Sequence, residues 1–213
     1  MSKLSDVSKT LQYEEAKKDK MKRLHLPHIK LLTEFVYEIR RETRLGEGIP
    51  YFDPDDGGTD ARCMFLLEAP GRKAVNSGFI SRNNPDETAK NFFMMNKEAG
   101  VPREDTLSWN IVPWYIGDGK KIRSANNRDI LDGLPYLYSL LEMLPKLEII
   151  VLVGKKAQLV RNDIERRMPY ILLKDMHHPS PKNMNTRPEY RKDVVITLKE
   201  IANYLALNGG DRN

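Results

Sequence analysis

Residues 63–71 read CMFLLEAPG. Five apolar side chains follow one another with no polar residue alternating. That is the pattern of a strand kept dry on both faces, as in a parallel sheet covered by helices. An acid, a proline and a glycine then stop the run abruptly. Three more runs of the same kind, residues 107–112, 147–153 and 171–176, are read as further buried strands. Helical spacing lies between them, over residues 85–99, 129–144, 155–167 and 191–207. Upstream, Ile29, Leu32, Phe35, Val36 and Ile39 recur on one side of an amphipathic helix. The alternation predicts an α/β protein, a three-layer α/β/α sandwich around a central, mainly parallel four-stranded sheet.

Composition narrows the classes of function. The chain has 213 residues, a length that fits one domain. Residues 25–207 are expected to form that domain. Residues 1–24, rich in Lys and Glu, read as a solvated helix or charged tail, and 208–213 as a C-terminal tail. The segment GEGIPYFDPDDGGTD, residues 46–60, reads as an exposed loop. No apolar run approaches the ~20 residues of a membrane span, and the N-terminus lacks the apolar stretch of a signal peptide. A cytoplasmic address follows as the expectation. Cys63 is the single cysteine, so neither an intramolecular disulfide nor a cysteine-based metal or iron–sulfur site can form. The four histidines show no metal-ligand spacing with carboxylates. A net charge of +5 and a pI near 9.1 suit a polyanionic partner.

In open α/β sheets ligands bind beyond the carboxyl ends of the strands. The residues there are Glu68-Ala69-Pro70-Gly71 after the first run and Trp109-Asn110-Ile111-Val112-Pro113-Trp114 at the second. His177-His178-Pro179-Ser180-Pro181 follows the fourth. Polar groups on turns stiffened by Pro or Gly would share one rim. VLVGKK after the third run lacks the spacing of a phosphate loop.

EAPG after the first strand, an Asn in the second and HPSP after the last, in that order, resemble the motifs of the uracil-DNA glycosylase superfamily. The resemblance covers about residues 61–207. EAPG is similar to the family 4 form and HPSP to the family 1 form. The four cysteines that hold the family 4 iron–sulfur cluster are absent, so the resemblance points to a relative without a cofactor or metal.

What the resemblance implies for single residues is specific. Glu68 positions the water or stabilises positive charge developing on the sugar. Ala69 stands where other branches hold the water with Asp or Asn. Gly71 stands where family 1 has a Tyr that keeps thymine out, and Ala74 replaces a frequent acid. Phe79, in SGFIS, matches the aromatic that stacks on the flipped base. Asn110 reads O4 and N3–H of uracil through its donor and acceptor. His178 donates to O2 as the glycosidic bond breaks, with His177 as the competing candidate. Ser180 binds phosphate. Lys182, Asn183, Met184 and Arg187 form the loop that enters the minor groove, with Met184 the nearest apolar wedge. The implied activity is that of a monomeric, monofunctional DNA glycosylase releasing uracil and initiating base-excision repair. A glycosylase for hypoxanthine, xanthine or mismatched thymine, and an inactive DNA-binding relative, stay open at this point.

Overall fold

The computed structural model describes residues 6–118 and 121–208. Residues 1–5 of the expected N-terminal tail, and 209–213 of the expected C-terminal one, lie outside the described residues. The four expected strands are present as β2 (Cys63–Leu67), β4 (Thr106–Asn110), β5 (Ile149–Val153) and β6 (Leu172–Met176). They form one sheet in the order β4-β2-β5-β6, and every pairing is parallel. The helices that cover it are α1 (Glu14–Lys22), α2 (Pro27–Thr43), α3 (Arg72–Ser77), α4 (Glu87–Ala99), α5 (Asn127–Glu142), α6 (Lys155–Gln158), α7 (Arg161–Arg167), α8 (Pro181–Thr186) and α9 (Pro188–Leu207). A two-residue pair, β1 (Tyr51–Phe52) with β3 (Phe79–Ile80), runs beside the main sheet.

The alternation of side chains along the strands builds both outer layers at once. In β2, Met64 and Leu66 join the core under α2, α5 and α6, while Cys63, Phe65 and Leu67 face the core under α4 and α9. In β5, Ile150 and Leu152 take the first side and Ile149, Val151 and Val153 the second. Strands with no wet face need apolar residues at every position, which is why these two runs are uninterrupted. β4 obeys a different rule. Leu107 and Trp109 enter the first core, with Trp109 stacked on Phe52 at 4.1 Å, while Thr106, Ser108 and Asn110 alternate on the other face. That polar face becomes a cavity wall.

Local chemistry sets the helix ends. Asp86 caps α4 by accepting from the Ala89 N–H at 2.9 Å, and Gly100, at φ +72°, ends it. Asn126 and Asp129 form a reciprocal capping box at the start of α5.

Several expectations need correcting. β6 is the far edge of the sheet, and Leu172 is 37% exposed, so only three of the four runs are buried along their length. The helix expected over 155–167 is broken into α6 and α7. Residues 46–60 are not an exposed loop, because Asp53, Asp56, Gly57 and Gly58 are buried. Gly58, at φ +58°, leaves no room for a side chain, since a Cβ there would lie 2.0 Å from the His28 carbonyl oxygen. Nor is the charged N-terminal stretch solvated throughout. Leu11 and Lys20 are buried in it, and α1 is fixed by charge rather than by apolar area. Lys20 donates to Asp53 at 2.5 Å and also to Asp55, and Arg103 donates to Asp53 at 2.7 Å and to Asp56 at 2.8 Å. The two cations hold the Asp53 carboxyl well below the usual carboxylate range despite complete burial. Removing Lys20 leaves Arg103 alone to balance the buried Asp53 and Asp56 carboxylates. Lys20→Met is therefore expected to cost about 3–5 kcal/mol of stability, read from urea unfolding, and a loss below about 1 kcal/mol would show the cluster to be solvated.

Candidate active site

The carboxyl ends of β2 and β4 and the segment after β6 open into one cavity of about 570 Å3. Leu67 and Asn110 are register partners, so the turn after β2 starts beside the end of β4. The Ile111 and Val112 N–H groups donate to Leu67 and Glu68 carbonyls at 2.9 and 3.0 Å, extending the pairing past the strand ends. Glu68, Ala69, Gly71, Ala74, Ser108, Asn110 and His178 line this cavity.

His178 is held from its backbone. Its carbonyl accepts from Asn183 Nδ2 at 3.0 Å, and the next carbonyl, of Pro179, accepts from Asn91 Nδ2 at 3.0 Å. Gly154, at φ +84°, lets the turn after β5 pass beneath it, where an added Cβ would sit 3.1 Å from the His178 Cβ. Burial pushes the imidazole below its ordinary pKa, against the opposing pull of the Glu68 and Asp86 carboxylates. At neutral pH the ring is therefore uncharged and carries one N–H. His177, the competing candidate, does not line the cavity. Its ring stacks on Tyr190 at 3.7 Å, and its Nε2 lies 3.7 Å from Asp193.

Asn110 is 3% exposed, and its Nδ2 has no hydrogen-bond partner. A buried amide donor left unpaired costs about 1–3 kcal/mol, so its place on a cavity wall suggests a partner brought by a ligand. Glu68 is differently occupied. Its Oε1 accepts from Ser124 Oγ at 2.8 Å and from the Ala125 N–H at 2.6 Å. The carboxylate thus ties the end of β2 to the turn before α5, and Lys156 Nζ holds that turn from below through the Ala125 carbonyl at 2.6 Å. Ile122, Arg123 and Ser124 of the same segment line the cavity mouth.

Other residues singled out in the sequence lie elsewhere. Phe79 is fully buried in β3, 6.3 Å from the Tyr51 ring, and does not line the cavity. The aromatic ring that does is Phe92 of α4, edge-on to Phe65 at 4.8 Å. Ser180 caps α8 by accepting from the Asn183 N–H at 3.4 Å. The expected groove-entering loop is that short helix. Met184 faces inward, 9% exposed among Val194 and its neighbours, so it is not a projecting wedge. Lys182 and Arg187 are exposed, and the Arg187 guanidinium meets the Tyr190 hydroxyl. Arg72 and Lys73, exposed at the start of α3, add positive charge at the cavity mouth.

Phe92 and Arg82 are among the cavity residues that escaped the sequence reading. Phe92 belongs to an apolar helical stripe that reads as plain core. Arg82 stands in the SRNN segment without any flanking motif. Among the described residues no group of His, Cys, Asp and Glu is arranged to hold a metal ion, and no helix is long and apolar enough to cross a membrane.

Among curated protein sequences none matches the chain. Among solved structures, a candidate uracil DNA glycosylase of Methanosarcina acetivorans is similar at a TM-score of 0.46 and 17% identity, over 67% of this chain and 91% of that one. Wild-type Pedobacter heparinus SMUG2 is similar at a TM-score of 0.49 and 13% identity, over 84% of this chain and 86% of that one. The profile of the uracil DNA glycosylase superfamily matches residues 54–199, more than half of the chain and the whole of the sheet and cavity, and the chain belongs to that superfamily.

Proposed function

We propose that the protein is a monofunctional DNA glycosylase that takes uracil out of the duplex and hydrolyses its glycosidic bond. The observation that carries this reading is the unpaired, buried Asn110 amide in the same cavity as the neutral His178 imidazole. Asn110 offers a donor for O4 and an acceptor for N3–H, the edge by which uracil differs from cytosine. The cavity accepts the base once it leaves the stack, and Phe92 supplies an aromatic surface in place of the lost neighbours.

Breaking the bond leaves the electron pair on the base and positive charge on the sugar. The neutral His178 N–H would donate to the developing anion at O2, an interaction that grows toward the transition state. Glu68 lies on the same wall with the hydrogen bonds from Ser124 and Ala125 both on Oε1, and its negative charge favours a cationic sugar. Water adds to C1′, and its proton goes to the departing base. Arg72, Lys73, Lys182 and Arg187 would contact flanking phosphates, offsetting a flipping cost of a few kcal/mol.

His178→Ala is expected to lower single-turnover uracil release roughly 100- to 1,000-fold with little change in duplex affinity, as loss of one anion-stabilising donor does. An unchanged rate, or a larger effect from His177→Ala, would overturn the assignment.

The depressed His178 pKa also predicts a stability profile. Its neutral form contributes fully above the ordinary value of about 6.5, and the contribution is lost as pH falls toward the folded-state value. The fall in Tm between about pH 7.5 and pH 5.5 should therefore be shallower in His178→Gln than in the parent.

Asn110→Asp exchanges a donor and an acceptor for acceptors alone, which suits the N4 amino group of cytosine. Cytosine release should appear as uracil release falls, and its absence with uracil release intact would remove Asn110 from base reading.

A further inference from the structure

A base that leaves the stack opens a gap, and an apolar side chain that fills the gap slows its return. The resemblance in sequence puts that wedge after β6, where Met184 is turned into the core. The connection from β4 to α5 offers another. There Gly117 and Ile122 form an antiparallel bridge, and the second leg of this narrow arm lines the cavity mouth. Among the described residues, Ile122 is the large apolar side chain that both lines the cavity and is exposed, at 46%. Single exposed apolar residues are common on protein surfaces. This one stands between Lys121 and Arg123, both exposed, on the rim that also carries Arg72 and Lys73. An apolar tip among cations at a cavity mouth fits a duplex, whose phosphates meet the cations and whose base stack meets the tip.

The arm is fixed by its own contacts. Between its legs the Lys121 N–H donates to Asp118 Oδ1 at 2.7 Å, and the Asp118 N–H donates to the Lys121 carbonyl at 3.1 Å. Gly117 keeps the legs close, because a Cβ there would lie 2.4 Å from the Lys121 carbonyl oxygen. On the first leg the Tyr115 N–H donates to the Gly48 carbonyl at 3.0 Å. At the foot of the second, Glu68 accepts from Ser124 Oγ and the Ala125 N–H, and Arg123 donates to Asp129 of α5 at 2.8 Å. A tip held this way loses little freedom on insertion, so the burial of its apolar surface is available to hold a stack open. Through Glu68 the arm is tied to the end of β2, which keeps tip and cavity at one spacing.

We propose that Ile122 is the wedge residue of this protein, entering the duplex where the base has left and holding that base in the cavity. The proposal rests on the glycosylase reading above and assigns the step before hydrolysis to a different element from the one the sequence resemblance implies. An isoleucine is stiff at χ1, so the place of its side chain follows from the backbone of the arm. Lys121 and Arg123 meet phosphates on either side of the gap. The role concerns duplex DNA alone, since a single strand has no paired stack to hold open.

The test is single-turnover uracil release from a duplex and from a single strand of the same sequence, with wild type, Ile122→Ala and Ile122→Leu. Ile122→Ala should lower the ratio of duplex rate to single-strand rate about tenfold or more, the effect of losing the burial of about three methylene groups. Ile122→Leu keeps the volume and should hold the ratio within about threefold of wild type. A second measurement needs no cleavage. It uses a duplex with 2-aminopurine beside 2′-fluoro-2′-deoxyuridine, whose glycosidic bond resists hydrolysis. Wild type should raise the 2-aminopurine fluorescence as that neighbour unstacks, and Ile122→Ala should raise it much less. An unchanged rate ratio in Ile122→Ala, or a fluorescence rise equal to that of wild type, overturns the proposal alone. So does a larger fall of the ratio in Met184→Ala at unchanged Tm. Release of no uracil from either substrate by wild type overturns the glycosylase reading, and the wedge then stands or falls on the fluorescence.

Discussion

The structure depends on the burial of β2 from every direction. It has β4 on one side and β5 on the other, and helices above and below. Such a strand cannot slip or tilt without moving apolar side chains of both cores, because a one-residue shift exchanges its two faces. Its last residue therefore delivers Glu68, Ala69, Pro70 and Gly71 to a fixed point. The ends of β4 and β6 are located relative to that point by parallel pairing, and the cavity is the space the strand ends leave between them.

The two central strands are uniformly apolar, whereas the edge strands carry the exceptions. β4 spends one face on Thr106, Ser108 and Asn110, and β6 exposes Leu172. One exception makes the cavity wall, and the other marks the sheet margin. The polar face of β4 stays out of bulk water, for Thr106, Ser108 and Asn110 are all buried and Arg82 donates to Thr106 Oγ1 at 2.6 Å. The Gly57 N–H donates to the Thr106 carbonyl at 2.8 Å. A polar strand face kept from solvent but not filled by protein has the chemistry of a binding surface.

Much of this was legible in the sequence. β2 lies where the apolar run put it, and the remaining strands differ by one or two residues at their ends. Period and length carry that information. Glu68, Asn110 and His178 were identifiable because turns after strands concentrate ligand groups. What was not legible concerns long-range partners. Lys20 reads as solvent-facing until Asp53 is known to stand beside it. Phe79 and Phe92 are both apolar neighbours of polar loops, and only the fold decides which ring meets the cavity. Met184 is flanked by asparagines and reads as surface, yet α8 turns it inward. Arg82 carries no local signal at all, since its role depends on Thr106, twenty-four positions away.

The N-terminal segment closes the cavity wall from behind. Asn83, within the wall segment, donates to Asp6 at 3.0 Å and to the Val7 carbonyl at 2.8 Å, and its own carbonyl accepts from the Leu11 N–H at 3.1 Å. These partners are 76 and 77 positions apart for Asn83, and Asp6 meets Arg103 across 97. Contacts of such range form after local helices and hairpins have organised. During synthesis the first described residues thus leave the ribosome early and find their places late. Until they dock, Leu11 is an exposed apolar side chain and residues 80–86 lack their backing. A growing chain can hold a finished sheet while the wall of its cavity still lacks this long-range backing.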